Sequence, residues 1–255
     1  MPLNNPSQDR DTQRPPVEQS AEPVLQELVY AVSHDLGASV RAVNGFADLL
    51  SRRYGDRLDD DGRNFLRLMT KGALDLQSQI EGLLMFSRVT SRGQPFTSTS
   101  MADVWQTVVT ANAARLKELN AVVEQTELPL VMADEAQLTQ LLSELFDNAI
   151  KFRRDEPLRL CFSAESLETK STACITDKSP RRFWTFRLTD NGRGIAPQHH
   201  QRIFQMFQRL CPDIAGAGVG LAVCQRIVYR HGGEIWAQSE SGIGTTICFT
   251  MPTTP

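Results

Sequence analysis

The sequence predicts an α+β protein in two parts: an antiparallel helical hairpin that two copies would complete as a four-helix bundle, then a domain whose helices pack on one face of a sheet. Three observations predict it. Residues 23–90 carry apolar side chains at alternating steps of three and four, the mark of helices packed in a bundle. Residues 91–100 are polar and include Gly93 and Pro95. Beyond them, short β-rich runs alternate with amphipathic helical ones, a mixture that builds helix-on-sheet layers.

Residues 1–22 are dominated by Pro, Gln, Asn, Asp and Ser and are expected to be a disordered tail. The first helix runs to Tyr54, with Leu25, Val29, Val32, Leu36, Val40, Val43, Ala47 and Leu50 as its stripe. Residues 54–62 are polar and glycine-flanked, a turn. A second stripe follows through Phe65 or Leu66, Met69, Ala73, Leu76, Ile80 and Leu83, to about Val89. One hairpin buries such stripes poorly, which predicts a homodimer through residues 23–90. Taken in isolation, the segment reads as a coiled-coil dimeriser without chemistry. Residues 91–100 are expected to be a linker, and 101–255 a second domain.

Within that domain a helix spans about 101–119, with strands near 122–125 and 130–132. Asp134 caps a further helix, and Gln137 three residues on suggests a capping box; Leu138, Leu141, Leu142, Leu145 and Ile150 extend it. Strands are expected at 158–164 and 182–189, joined by a long polar loop around Glu168–Lys178. A helix at 219–231 and strands at 233–239 and 245–251 close the chain.

Composition narrows the function. The net charge of -3 argues against nucleic acid as a partner. Five cysteines, an odd number with no C-x-x-C pair, point to reduced thiols rather than disulfides or a metal site. No apolar run approaches the roughly 20 residues of a membrane span, and no signal peptide is evident. A cytoplasmic protein with no membrane insertion is the expectation.

Four motifs carry possible chemistry. His34-Asp35 sits on the first helix, about 200° around from Val32 and Leu36, where an imidazole faces solvent. Asp35 could hold one ring nitrogen and leave the other as nucleophile, although a lone His-Asp pair is more often incidental. Glu144 and Asn148, at i and i+4, share a helix face able to hold Mg²⁺ through oxygen, and Lys151 lies within a turn to meet a phosphate. The same pattern also describes a solvated helix face. Asp190-Asn191-Gly192-Arg193-Gly194 follows a strand, so its carboxylate could accept from an exocyclic amine such as that of adenine; the plainer reading is an Asn-Gly turn. Gly216, Gly218 and Gly220 precede a helix and let backbone N–H groups converge on an anion, a weak signal alone.

In this order the motifs resemble one family, the two-component sensor histidine kinases, whose H, N, G1, F and G2 boxes they match over about residues 23–252. Ile203-Phe204-Gln205-Met206-Phe207, Gly232-Gly233-Glu234-Ile235-Trp236 and Gly244-Thr245-Thr246 complete the set. The phytochrome-associated kinases are the closest in flavour, from Arg52-Arg53-Tyr54, Ser87-Arg88-Val89 and Lys151-Phe152-Arg153. The resemblance implies a histidine-phosphotransfer hairpin and an α/β-sandwich ATP-binding domain of the gyrase and heat-shock-chaperone type. It implies His34 as phosphoacceptor, Asn148 on Mg²⁺, Asp190 on adenine, and Gly192 and Gly194 shaping the pocket. Gly216, Gly218 and Gly220 would form a lid over ATP, supported by Phe204 and Phe207 (which plain core packing would explain as well), with Thr245 near the adenine edge.

The chain departs from the family pattern at Ser39, in place of the usual proline, at Ala38, which predicts weak phosphatase activity, and at Ala217, in place of a common Thr. Glu144 stands where the kinases commonly have Asn and could serve as base or assist the metal. The expected function is an autophosphorylating histidine kinase: the ATP domain swings on the 91–100 linker to His34, and the phosphoryl group passes to an aspartate of a response-regulator receiver domain. Residues 1–22 are short for a sensory domain, so the input is expected from a separate sensor protein or through a further surface of this chain. The alternatives are a non-catalytic phosphotransfer scaffold with a vestigial ATP domain, and a serine kinase or ATPase of the same superfamily.

Overall fold

A computed structural model of the chain describes residues 21–91, 93–168, 182–211, 214 and 216–253, with the backbone alone for 21–31, 34, 90, 167, 168 and 182. The expected tail and most of the polar loop after Glu168 lie outside the described residues.

Helices α1 (Ala21–Tyr54) and α2 (Asp60–Ser91) form the predicted antiparallel hairpin. The turn between them is a single 3₁₀ turn, Gly55–Arg57. Asp59 Oδ1 accepts from the Gly62 N–H at 2.8 Å, capping α2, and Arg63 Nη1 donates to Leu58 O at 2.6 Å across the turn.

Among the described side chains, the buried face of α1 overlaps the predicted stripe only at Val40 and Ala47. Ser33, Gly37, Val40 and Ala47 face inward, with Asn44 Nδ2 donating to Gln77 Oε1, while Ala73 and Ile80 are buried on α2. Val32, Leu36, Val43 and Leu50 remain 44–48% exposed. Small residues let the two helix backbones approach closely, so the large side chains are directed to another surface.

The second domain holds a five-stranded sheet in the order β2-β4-β5-β7-β6, from β2 (Val122–Gln125), β4 (Arg159–Glu168), β5 (Arg182–Asp190), β6 (Ile235–Glu240) and β7 (Gly244–Pro252). The β2–β4 pair is parallel and the others antiparallel. A two-stranded ribbon pairs β1 (Thr97–Ser100) with β3 (Leu130–Ala133). Helices α3 (Met101–Ala111), α5 (Glu135–Lys151) and α6 (Gly220–Arg230) share one core with the sheet. A short α4 (Ala113–Glu118) follows α3, so the expected single helix over 101–119 breaks at Asn112. Trp105 packs on Phe146 and Phe162, and Phe162, Phe186 and Phe249 stack across three strands. The fold is therefore α+β, as predicted.

Asp134 caps α5 by accepting from Gln137 N at 3.2 Å, but the capping box is half formed: the Gln137 side chain donates instead to Val89 O at 2.7 Å. This belongs to a larger correction. Residues 91–100 are not a free linker. Gln94 N donates to Asp134 Oδ2 and Arg230 Nη2 to Gln94 O. Phe96 stacks on His231 with ring centroids 4.4 Å apart, and residues 97–100 form β1. Asp134 is buried and pairs with Arg230 at 3.1 Å. A buried carboxylate requires such partners, and here they come from the supposed linker and the end of α6. His231 Nε2 accepts from Asp134 N and its Nδ1–H donates to Ile227 O, which fixes the ring as a neutral imidazole; burial lowers its pKa further. Val89 joins the core of the second domain, and Gly82 of α2 lies so close to Val219 that a Cβ would sit 2.7 Å from its Cγ2.

Candidate functional site

A cavity of about 200 Å³ opens between α5, the ends of β5 and β7, residues 208–211 and the glycine segment before α6. Glu144, Asn148, Lys151, Asp190, Gly194, Gly216, Gly218, Gly220 and Thr245 all line it. Sequence positions more than a hundred residues apart thus converge on one space.

On α5 the apolar face, with Leu138, Leu141, Leu142 and Leu145, is buried in the core. Glu144 and Asn148 look the other way, into the cavity, because the 3.6-residue period puts i and i+4 on one side. Burial pushes the Glu144 carboxyl above its usual range; Lys151 opposes that shift and Asp147 adds to it. The lack of a side chain on Gly220 lets this carboxylate reach the first turn of α6.

Asp190 ends β5 opposite Thr245 of β7. Its Oδ1 accepts from Gly192 N at 2.7 Å, and the Thr245 N–H also donates to the carboxylate. Burial raises its pKa, against the lowering effect of these two donors. Gly192 is the one predicted glycine that does not line the cavity. It shapes the site from behind: a Cβ there would lie 2.7 Å from both Asp190 Oδ1 and Phe152 O. Thr245 Oγ1 lies 3.0 Å from Ser239 Oγ, which also accepts from Ile195 N.

Gly218 has φ +68 and sits against Gln208 O, so the glycine segment passes close to residues 207–208 in a conformation that a side chain would strain. There the two phenylalanines part company. Phe204 is buried in the core, whereas Phe207 is 44% exposed with φ +62, so it does not support the lid by packing.

Several lining residues carried no sequence signal of their own: Arg193 and Ile195 around the Asp190 turn, Leu188, and Gln208, Arg209 and Cys211 after Phe207. Arg193 sits between two motif glycines, which could have marked it. Arg209 also reaches the hairpin, 3.7 Å from Asp75.

The residues fit a magnesium nucleotide. Asn148 and Glu144 offer two oxygen donors, leaving other positions for phosphate and water. Asp190 is a half-buried acceptor in the same cavity, and the start of α6 provides convergent N–H groups for anionic oxygens. Among the described residues no group of three or more His, Cys, Asp or Glu side chains is arranged to hold a metal by itself. His34 lies on α1 and Asp35 beside it is exposed; the His34 side chain, and with it the expected exposure of the imidazole, lies outside the described residues. No helix among the described residues is long and apolar enough to cross a membrane.

Residues 24–92 match the family model of the His Kinase A (phospho-acceptor) domain, and residues 133–255 that of the histidine kinase-, DNA gyrase B-, and HSP90-like ATPase. The chain is 36% identical over 230 residues to Cyanobacterial phytochrome A of Nostoc sp. and 33% identical over 230 residues to the Phytochrome-like protein Cph1 of Synechocystis sp.. Each alignment covers 89% of this chain but only 28% and 29% of those relatives, so the chain spans less than a third of their length. The structure of full-length ShkA in complex with AMPPNP superposes with a TM-score of 0.61 at 23% identity, covering 90% of this chain and 46% of that one. That of histidine kinase ThkA in complex with response regulator protein TrrA gives 0.59 at 21% identity, covering 93% and 64%. These two show likeness of fold.

Proposed function

The chain belongs to the two-component sensor histidine kinases, and on that premise we propose that it transfers the γ-phosphoryl group of ATP to His34 and then to an aspartate of a response-regulator receiver domain. One observation carries the reading: a single cavity is lined both by a half-buried acceptor, Asp190, and by Asn148, Glu144 and the glycines before α6.

In this reading Asp190 accepts from the adenine amine, and the N–H groups at the start of α6 and Lys151 meet the phosphates. Asn148 and Glu144 hold Mg²⁺, which when bound neutralises charge on the phosphate oxygens. Asp35 accepts a proton from one ring nitrogen of His34, and the other nitrogen attacks the γ-phosphorus in line. The bond from that phosphorus to the bridging oxygen breaks, ADP leaves, and the product is phosphohistidine.

In this reading the pivot that would bring the cavity to His34 lies in α2 before Val89 rather than in the expected linker; the bonds of Gln94 to Asp134 and Arg230, and of Gln137 to Val89 O, support it. The exposed apolar faces of both hairpin helices support a homodimer through residues 23–90.

Incubation with γ-labelled ATP tests the proposal. Acid-labile, base-stable label is expected on the wild type and none on His34→Gln, which should still bind ATP. Label retained by His34→Gln, or acid-stable label, would overturn it.

A further inference from the structure

Arg154 does not line the nucleotide cavity; it lies in a neighbouring polar groove with Asn120, Arg153 and Glu156. We propose that Arg154 is a positioning residue for adenine selection, holding the turn after Asp190 so that this carboxylate stays aimed at the base. The inference rests on the reading that Asp190 accepts from the adenine amine.

The guanidinium ties that turn to the one between β6 and β7. Arg154 Nε donates to Asn191 O at 2.9 Å, and Nη1 donates to Gly242 O at 2.8 Å. Nη2 lies 3.3 Å from Glu156 Oε2, which balances its charge. Asn191 is the residue directly after Asp190, and Gly242 lies in the β6–β7 turn. The two segments are joined to each other as well: Gly242 N donates to Arg193 O at 2.7 Å, and Arg193 N to Phe152 O at 2.9 Å. The Asn191 side chain accepts from Arg159 N and donates to Pro157 O.

The peptide that follows Asp190 is therefore fixed by several bonds, and Arg154 is the side chain that bridges it to the β6–β7 turn. Removing it leaves the Asn191 side-chain bonds in place, so the fold survives while the aim of the carboxylate slackens. Arginine suits the role because its planar fork serves two carbonyls at once, whereas a lysine ammonium is a single point charge.

Selectivity follows from the bases. Adenine presents an amine donor where guanine presents a carbonyl oxygen, which a carboxylate repels. Slackening the turn should weaken ATP and leave GTP, which gains nothing from Asp190, almost unchanged.

The test is titration of the full chain with Mg-ATP and Mg-GTP, for wild type, Arg154→Gln, Arg154→Lys and Asp190→Asn, with thermal melts of each. For Arg154→Gln, ATP affinity is expected to fall about tenfold and GTP affinity to change less than about twofold, with Arg154→Lys in between. At saturating ATP, His34 labelling should stay near the wild-type rate. A folded Arg154→Gln that keeps the wild-type ATP/GTP ratio, or loses both nucleotides equally, overturns the inference. If Arg154→Gln does not fold, the same ratio measured on Arg154→Lys decides. If Asp190→Asn leaves the ratio unchanged, the adenine reading itself fails; if it removes the preference while Arg154→Gln retains it, only the role of Arg154 falls.

Discussion

Asp190 and Glu144 share a condition that sets their chemistry: both carboxyls are held above their ordinary pKa because burial disfavours the charged form. A carboxyl raised in this way binds its proton more tightly folded than unfolded. When ionised at neutral pH it subtracts stability, and the subtraction fades as pH falls through the raised value. Glu144→Gln removes such a charge, so the ligand-free variant should melt higher than wild type at neutral pH. That advantage should shrink on acidification; thermal melts across pH check it, and an advantage that grows as pH falls would contradict the assignment. For Asp190 the same shift predicts that ATP affinity falls on mild acidification, at a pH above that at which an ordinary aspartate protonates. Titration of ATP binding against pH measures this, and Asp190→Asn should lose at least about tenfold in affinity.

At the level of elements, the segment after α2 behaves as part of the ATP domain. Arg230 donates to Gln137 Oε1, pairs with the buried Asp134 and lies over the Phe96 ring at 4.8 Å. Removing it leaves the Asp134 carboxylate short of a cation. Arg230→Ala should destabilise the ATP domain by about 2–3 kcal/mol, with faster hydrogen exchange confined to residues 93–100 and the start of α5. Unchanged exchange there would mean that the segment is held by β1 alone. Upstream, α2 leaves the hairpin at Ala73 and Ile80 and enters the second core at Val89, so one continuous helix belongs to both packing units. Bending or rotating it is the available way to move one relative to the other.

For the molecule as a whole, the hairpin leaves many of its described large apolar side chains exposed. Phe46 and Phe65 are each 67% exposed, and Leu49, Leu68 and Met69 between 45% and 59%. An exposed apolar face this large marks an interaction surface, and its helical spacing suits a second hairpin. Phe46→Glu combined with Met69→Glu alters residues that face solvent in the single chain, so the monomer should stay folded. Burying the two charges between copies should weaken the dimer at least about a hundredfold. Sedimentation equilibrium reads this directly; an unchanged dimer would place the interface elsewhere.

The period of the apolar residues and the chemistry of the turn-forming motifs, which are local properties, were enough to determine the helical hairpin and the order of strands and helices from Met101 onward, and the family resemblance of those motifs implied the distant residues that meet at one cavity. Other features were decided only by the tertiary structure. α1 carries apolar residues on more than one face, and which of them meets α2 depends on how closely two backbones approach; Ser33, Gly37 and Ala47 turn inward with Val40, while Val32, Leu36, Val43 and Leu50 are left outside. Residues 91–100 read as a linker because their composition is polar, yet their bonds to Asp134 and Arg230 join positions 40 and 136 apart in the chain. Arg154 gave no local sign, since its two carbonyl partners lie 37 and 88 residues away. A side chain whose meaning lies in distant backbone atoms becomes legible only once the chain has folded.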